Sequence, residues 1–149
     1  MSLSAKCKKI GIIGNVRTRI RWFVVLWLIG ILFPVAWFSS LTTETTAWFN
    51  QVFGPLWVHI VMHAGLYLVL ALCLAWLAGD HWRQRWPLIL AAVVLVGVLQ
   101  EMVQMWGAGR WPGADEVFDL TVDVSGGLIG LGLFALARSR SQIVSDGGQ

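Results

Sequence analysis

Residues 55–79 read PLWVHIVMHAGLYLVLALCLAWLAG, twenty-five residues without a Lys, Arg, Asp or Glu. At about 1.5 Å per residue, a helix of this length crosses a hydrocarbon core of about 30 Å. Apart from the thiol of Cys73, its only titratable interruptions are His59, His63 and Tyr67. They recur every four residues and so share one helical face. The stretch predicts a transmembrane helix with one polar stripe.

Three further apolar runs lie around it. Trp22–Phe38 has no charge over 17 residues. A run from about Trp86 to Trp106 has Pro87 in its predicted first turn, is apolar through Leu99, and then contains Gln100, Glu101 and Gln104. The last, from about Val117 to Ala137, has Asp119 and Asp123 near its start. The basic approach to Trp22 resembles a signal peptide. The exit Pro34-Val35-Ala36-Trp37-Phe38-Ser39-Ser40 offers no small-x-small cleavage site, so the run is read as a retained helix. Composition agrees with lipid as the main solvent. The 149 residues are 57% hydrophobic and 13% charged, against about 25% charged in soluble domains. The expected fold is all-α: one polytopic membrane domain of four transmembrane helices.

Charge sets the expected direction. Lys6, Lys8, Lys9, Arg17, Arg19 and Arg21 precede the first run, Arg83 and Arg85 separate the second from the third, and Arg138 and Arg140 follow the fourth. Ten of the eleven Lys and Arg thus fall on one side, and only Arg110 on the other. The positive-inside rule puts both termini in the cytoplasm of a multi-pass inner-membrane protein. Trp37, Trp57, Trp106 and Trp111 then fall near the outer interface and Trp22, Trp82 and Trp86 near the inner one, where amphipathic rings are favoured. The net charge of +3 does not point to nucleic acid, because the basic residues sit in tails and short loops. Residues 1–16 are expected to form a flexible basic tail, 17–138 the membrane domain, and 139–149 a disordered polar tail. The outer loops are Ser39–Gly54 and Gly107–Glu116, with a short interfacial helix expected within Leu41–Gln51. Cys7 and Cys73 lie in a tail and an apolar run, so they predict neither a disulfide nor a metal site. Lys6 before Cys7 also argues against a lipid-modified cysteine.

Counting along the expected helices brings the polar residues to common depths. Helix two descends from outside, which puts His63 roughly 10 Å below the outer interface, and Asp123 falls at the same depth in helix four. Helix three rises, and Glu101 lies five residues before Trp106, or roughly 8 Å deep. His63, Glu101 and Asp123 form a deep layer; His59, Gln104 and Asp119 form a shallower one, with Arg110 able to fold over both. Glu116, Asp119 and Asp123 share a face by their three-then-four spacing. Isolated carboxylates facing hydrocarbon cost several kcal/mol, so these groups are expected to turn inward. Two readings follow: hydrogen-bonding glue between helices, or a ligand site. Their number favours a site. His59 and His63 can ligate a metal at this spacing, but histidines four apart are a weak signal, and neither a metal nor a cofactor is assigned. Gly126, Gly127 and Gly130 lie in apolar sequence without a preceding strand or a Lys-Ser/Thr. They are expected to pack helices closely, with Gly126 and Gly130 as a small-xxx-small pair, and not to hold phosphate.

The order His63-Ala-Gly-Leu-Tyr67, Gln100-Glu101-Met-Val-Gln104, Arg110 and Asp119-Leu-Thr-Val-Asp123-Val-Ser-Gly126-Gly127 resembles the VanZ-like family of small membrane proteins. That pattern has a His and Tyr four apart, a Glu-x-x-Gln, an Arg, then Asp-x-x-x-Asn before glycines. The resemblance covers roughly residues 20–137 and matches His63, Tyr67, Glu101, Gln104, Arg110 and Asp119. It departs where the family often has an Asp-Lys pair, here His59 and Ile60, and where Asp123 replaces the Asn. The family's founding member is linked with resistance to the glycopeptide teicoplanin, which implies an envelope role without fixing a reaction. Three functions are compatible with the residues. One is an outward-facing pocket that binds an envelope lipid or lipid-linked precursor through His59, His63, Tyr67, Glu101, Gln104, Arg110, Asp119 and Asp123. Another is a hydrolase or transferase with Glu101 or Asp123 as acid or base, His63 as partner and Arg110 stabilising charge. No activated nucleophile supports that enzyme. The last is a structural subunit of a homo-oligomer or larger membrane complex, held through the glycine face.

Overall fold

The computed structural model describes residues 3–32, 44, 47, 51–52, 54–109, 111 and 113–146. Arg110, and most of the loop expected to hold an interfacial helix, lie outside them. The described chain is all-helical, 95% helix with no strands. Its elements are α1 (Leu3–Leu32), α2 (Leu56–Ala78), a 3-10 turn (Gly79–His81), α3 (Trp82–Ala108) and α4 (Ala114–Asp146). Two stretches are long and apolar enough to cross a membrane, Leu56–Trp106 and Ala114–Arg140, with mean hydropathy 2.2 and 1.8. The first of these contains α2 and all but the last two residues of α3.

Local chemistry sets the breaks. Pro55 precedes α2 with φ −64° and ψ 129°; it has no N–H to leave unsatisfied and is pre-set for a helix start. Gly79 stops α2 at φ +61°, its N–H closing onto the carbonyls of Ala75 and Trp76. Gly109 ends α3 in the left-handed region at φ +62°, a conformation that costs a side-chain-bearing residue about 1 kcal/mol or more.

Three boundaries differ from the sequence reading. The segment from Leu3 to residue 16, expected to be a flexible tail, continues α1, and α4 runs past residue 139 to Asp146. No proline interrupts either stretch, and a helix extends into water while its backbone bonds remain internal. Pro87 lies in the second turn of α3, not the first, because α3 starts at Trp82. It therefore removes the bond that residue 87 would give to the Arg83 carbonyl. Both residues are exposed.

The helices alternate in direction. Along α2 and α4, His59 meets Asp119, His63 meets Asp123, Ala64 abuts Gly126 and Leu68 abuts Gly130. The numbers rise together, so this pair is parallel. Arg17 lies by Gly79 while Trp27 meets Leu66, which makes α1 antiparallel to α2. The α2–α4 pair is the most extensive contact, α3 packs on both, and α1 packs on α2 and α3. Trp27 Nε1 donates to the Leu66 carbonyl at 3.0 Å and fastens α1 to α2. The apolar core includes Val24, Leu70, Ala71, Ala75, Val93 and Leu131.

Glycines set the closest approach. A methyl at Gly126 would overlap the Ala64 carbonyl, and one at Gly130 would stand 2.6 Å from the Leu68 oxygen. Gly127 faces α3, where a methyl would come within 2.9 Å of Val93. Polarity is inverted relative to a water-soluble bundle. His63, Gln100, Glu101, Glu116 and Asp123 are buried, while Leu26, Ile29, Leu88, Leu95, Val117 and Leu136 are exposed. The hydroxyls of Thr121 and Ser125, also exposed, bond back to the carbonyls of Val117 and Thr121 in their own helix. Arg17, Arg83 and Arg138 gather at one end, where Arg138 pairs with Asp80 at 3.0 Å.

Gly126→Ala should lower stability by about 1–3 kcal/mol, since the clash is with backbone and can be relieved only by parting α2 from α4. A methyl at Gly132 would have no neighbouring atom within 4 Å, so Gly132→Ala should be neutral or gain up to about 1 kcal/mol from helix propensity. Unfolding of the two variants in mild detergent checks the contrast.

Candidate functional site

The parallel register of α2 and α4 builds two stacked histidine–carboxylate pairs. His59 Nε2 lies 2.9 Å from Asp119 Oδ1, and His63 Nδ1 lies 2.9 Å from Asp123 Oδ1. Each step is four residues on both helices, which returns the side chains to the same face one turn on. The two imidazoles lie 4.4 Å apart, centroid to centroid. The pairs differ in access: the His59 and Asp119 side chains are 39% and 14% exposed, those of His63 and Asp123 8% and 0%. The stack therefore runs from a partly open mouth to a closed floor.

α3 completes the floor. Tyr67 donates to Gln100 Oε1 at 2.7 Å, joining α2 to α3 below the second pair. Glu101, also buried, brings a ligand atom within 4.8 Å of those of both His63 and Asp123. His59, His63 and Asp119 meet the same limit in the shallower layer. Gly97 makes this convergence possible. A methyl there would lie 3.1 Å from Asp123 Oδ2, 2.9 Å from Leu120 Cδ1 and 3.7 Å from the Tyr67 hydroxyl.

The expected site residues are thus distributed unevenly. His59, His63, Tyr67, Glu101, Asp119 and Asp123 line one column between α2, α3 and α4. Gln104 is half-buried and makes no hydrogen bond among the described residues; its neighbour Gln100 takes the Tyr67 proton instead. Arg110 is outside the described residues. Glu116 supports its own helix. Its Oε2 accepts the Gly113 N–H at 2.6 Å, the return bond of a capping box at the start of α4. Gly113 three residues before Glu116 was the sequence signal for it. Gly97 and Trp27 had no such signal, because each looks like any other residue of an apolar run.

An imidazole that donates one ring N–H to a buried carboxylate is held in orientation while its other nitrogen can exchange a proton or bind a ligand. With carboxylates on two sides, the column can hold a cation, a protonated headgroup or a shared proton. A double-mutant cycle of His63→Ala and Asp123→Ala should return a coupling of about 1–2 kcal/mol, at the upper end for pairs between membrane helices. Additive losses in the unfolding free energies would show that the two side chains do not interact.

Comparisons with protein-family models, with curated proteins and with solved structures returned no match to this chain.

Proposed function

We propose that the chain is a VanZ-like inner-membrane protein whose polar column opens to the outer face and binds the headgroup of an envelope lipid or lipid-linked precursor. The observation that carries this reading is the graded burial of two histidine–carboxylate pairs, from the accessible His59–Asp119 to the closed His63–Asp123. Titratable groups inside a membrane mark functional paths more often than packing. A column open at one end admits a polar group while its lipid tails stay in hydrocarbon.

Several observations support a membrane setting, with the fourth span, α1, resting on the uncharged run Trp22–Phe38 of the sequence. Apolar side chains cover the outside, two stretches have the length and hydropathy to cross, and exposed hydroxyls close on their own helices. At 1.5 Å per residue α2 is about 34 Å long and α3 about 40 Å, enough for one crossing each. The gathering of arginines at the end opposite His59 supports both termini on the cytoplasmic side. The family assignment rests on the ordered motifs from His63 to Gly127. A link to glycopeptide resistance would follow from it. Assembly with further copies or a larger complex is the role left if the column binds nothing.

One observation favours a second reading, a membrane hydrolase or transferase on a lipid-linked substrate. His63 is oriented through Nδ1 by Asp123 beside Glu101, an arrangement that suits general acid–base work. Turnover of lipid phosphates that Glu101→Gln abolishes would establish it.

Binding is tested with nanodisc-embedded protein and a panel of phospholipids and polyprenyl phosphates, read by native mass spectrometry. The combined His59→Ala and Asp119→Asn substitutions should weaken the preferred lipid by about tenfold, as expected for loss of about 1.4 kcal/mol. Unchanged binding would overturn the column as the site. Topology is tested in a background with Cys7 and Cys73 replaced by Ser. A membrane-impermeant maleimide added to intact cells should label Thr42→Cys and spare Gln84→Cys; the opposite pattern would invert the orientation.

A further inference from the structure

The floor of the column contains an unbalanced set of acceptors. Glu101 Oε1 and Asp123 Oδ2 are buried without a hydrogen-bond partner among the described residues. Glu101 is 5% exposed and Asp123 0%. Asp123 pairs with His63 through its other oxygen, Oδ1, and the Tyr67 hydroxyl nearby donates its hydrogen bond to Gln100. Two buried carboxylates with spare lone pairs call for a proton or a cation beyond what one imidazole supplies.

The donor atoms of His63, Glu101 and Asp123 all lie within 4.8 Å of one another. Ligands about 2.0–2.2 Å from one cation stand roughly 3–4.4 Å apart, so small side-chain adjustments bring the three onto one ion. They come from three different helices, α2, α3 and α4, so the fold, not a local loop, holds them together. The shallower trio shares His63, but its His59–Asp119 pair is already satisfied and partly open. The deep trio is therefore the better cation site.

We propose that His63, Glu101 and Asp123 bind one divalent first-row transition cation. One imidazole and two carboxylates suit zinc, manganese or iron(II) better than a thiolate-seeking or all-oxygen ion. Binding displaces the proton held between His63 and Asp123. Three protein ligands leave at least one coordination position for water or an incoming oxygen ligand. The inference concerns the column proposed above as a headgroup site, but it does not depend on a headgroup.

Zinc is the probe. Full-length protein with a histidine-free purification tag is stripped with chelator in a neutral detergent free of phospholipid, then titrated with zinc and assayed for bound metal. One zinc per chain is expected. Glu101→Gln should weaken it by about tenfold or more, while Thr121→Ala, which removes an exposed hydroxyl outside the column, should leave stoichiometry and affinity unchanged. Failure to retain zinc, or equal affinity in Glu101→Gln, overturns the proposal. Cobalt(II) added to the stripped wild-type protein gives a readout independent of any variant's folding. Visible d–d bands that zinc removes support the site, and their absence overturns it. Because no phospholipid is present, loss of the metal result leaves the headgroup experiment standing, and the reverse also holds.

Discussion

The close contact between α2 and α4 is the constraint on which the rest depends. Gly126 and Gly130 have no side chain where the backbone of α2 passes, and a Cβ at either position would run into the Ala64 or Leu68 carbonyl. Lipid tails are as apolar as leucine, so association in a membrane is driven by packing and by polar contacts between helices. The glycine contact supplies the first and sets the register for the second. Once Ala64 faces Gly126, His63 falls against Asp123, and one turn away His59 falls against Asp119. Stability and site are products of the same register.

The site also depends on how the third helix closes it. α3 arrives through a three-residue 3-10 turn that begins at Gly79, and Gly97 leaves room for the Asp123 carboxylate and the Tyr67 hydroxyl. Gln100 then takes the Tyr67 proton and Glu101 faces the His63–Asp123 pair. The polar groups are concentrated inside and the apolar ones outside, as expected where water is excluded from the surface. Both proposed ligands, a headgroup at the mouth and a cation at the floor, follow from a column whose acceptors outnumber its donors.

Much of this was legible in the sequence for physical reasons. Lipid requires about twenty apolar residues per crossing, and Pro55 and Gly79 bracket the second run at the ends α2 adopts. Four-residue spacing put His59, His63 and Tyr67 on one face, and depth counting grouped His63 with Glu101 and Asp123. What periodicity could not supply is which face meets which neighbour. It put Gln104 and not Gln100 among the candidate ligands, whereas Gln100 is the one that reaches Tyr67. Glu116 shared a face with Asp119 and Asp123, yet its carboxylate serves the start of its own helix. Gly97 and Trp27 were silent because their roles depend on what lies opposite, and polarity marks solvation more than helix ends, so the extensions into both tails were missed.

The most direct measurement is the His63–Asp123 distance in a bilayer, by solid-state dipolar recoupling between imidazole nitrogen and carboxylate carbon in selectively labelled protein. The N···O separation of 2.9 Å places Nδ1 and Cγ within about 4 Å for a hydrogen-bonded pair. A coupling of that size, lost in Asp123→Leu, is the expected result. Its absence in folded, bilayer-embedded wild-type protein would contradict the register from which the site is built.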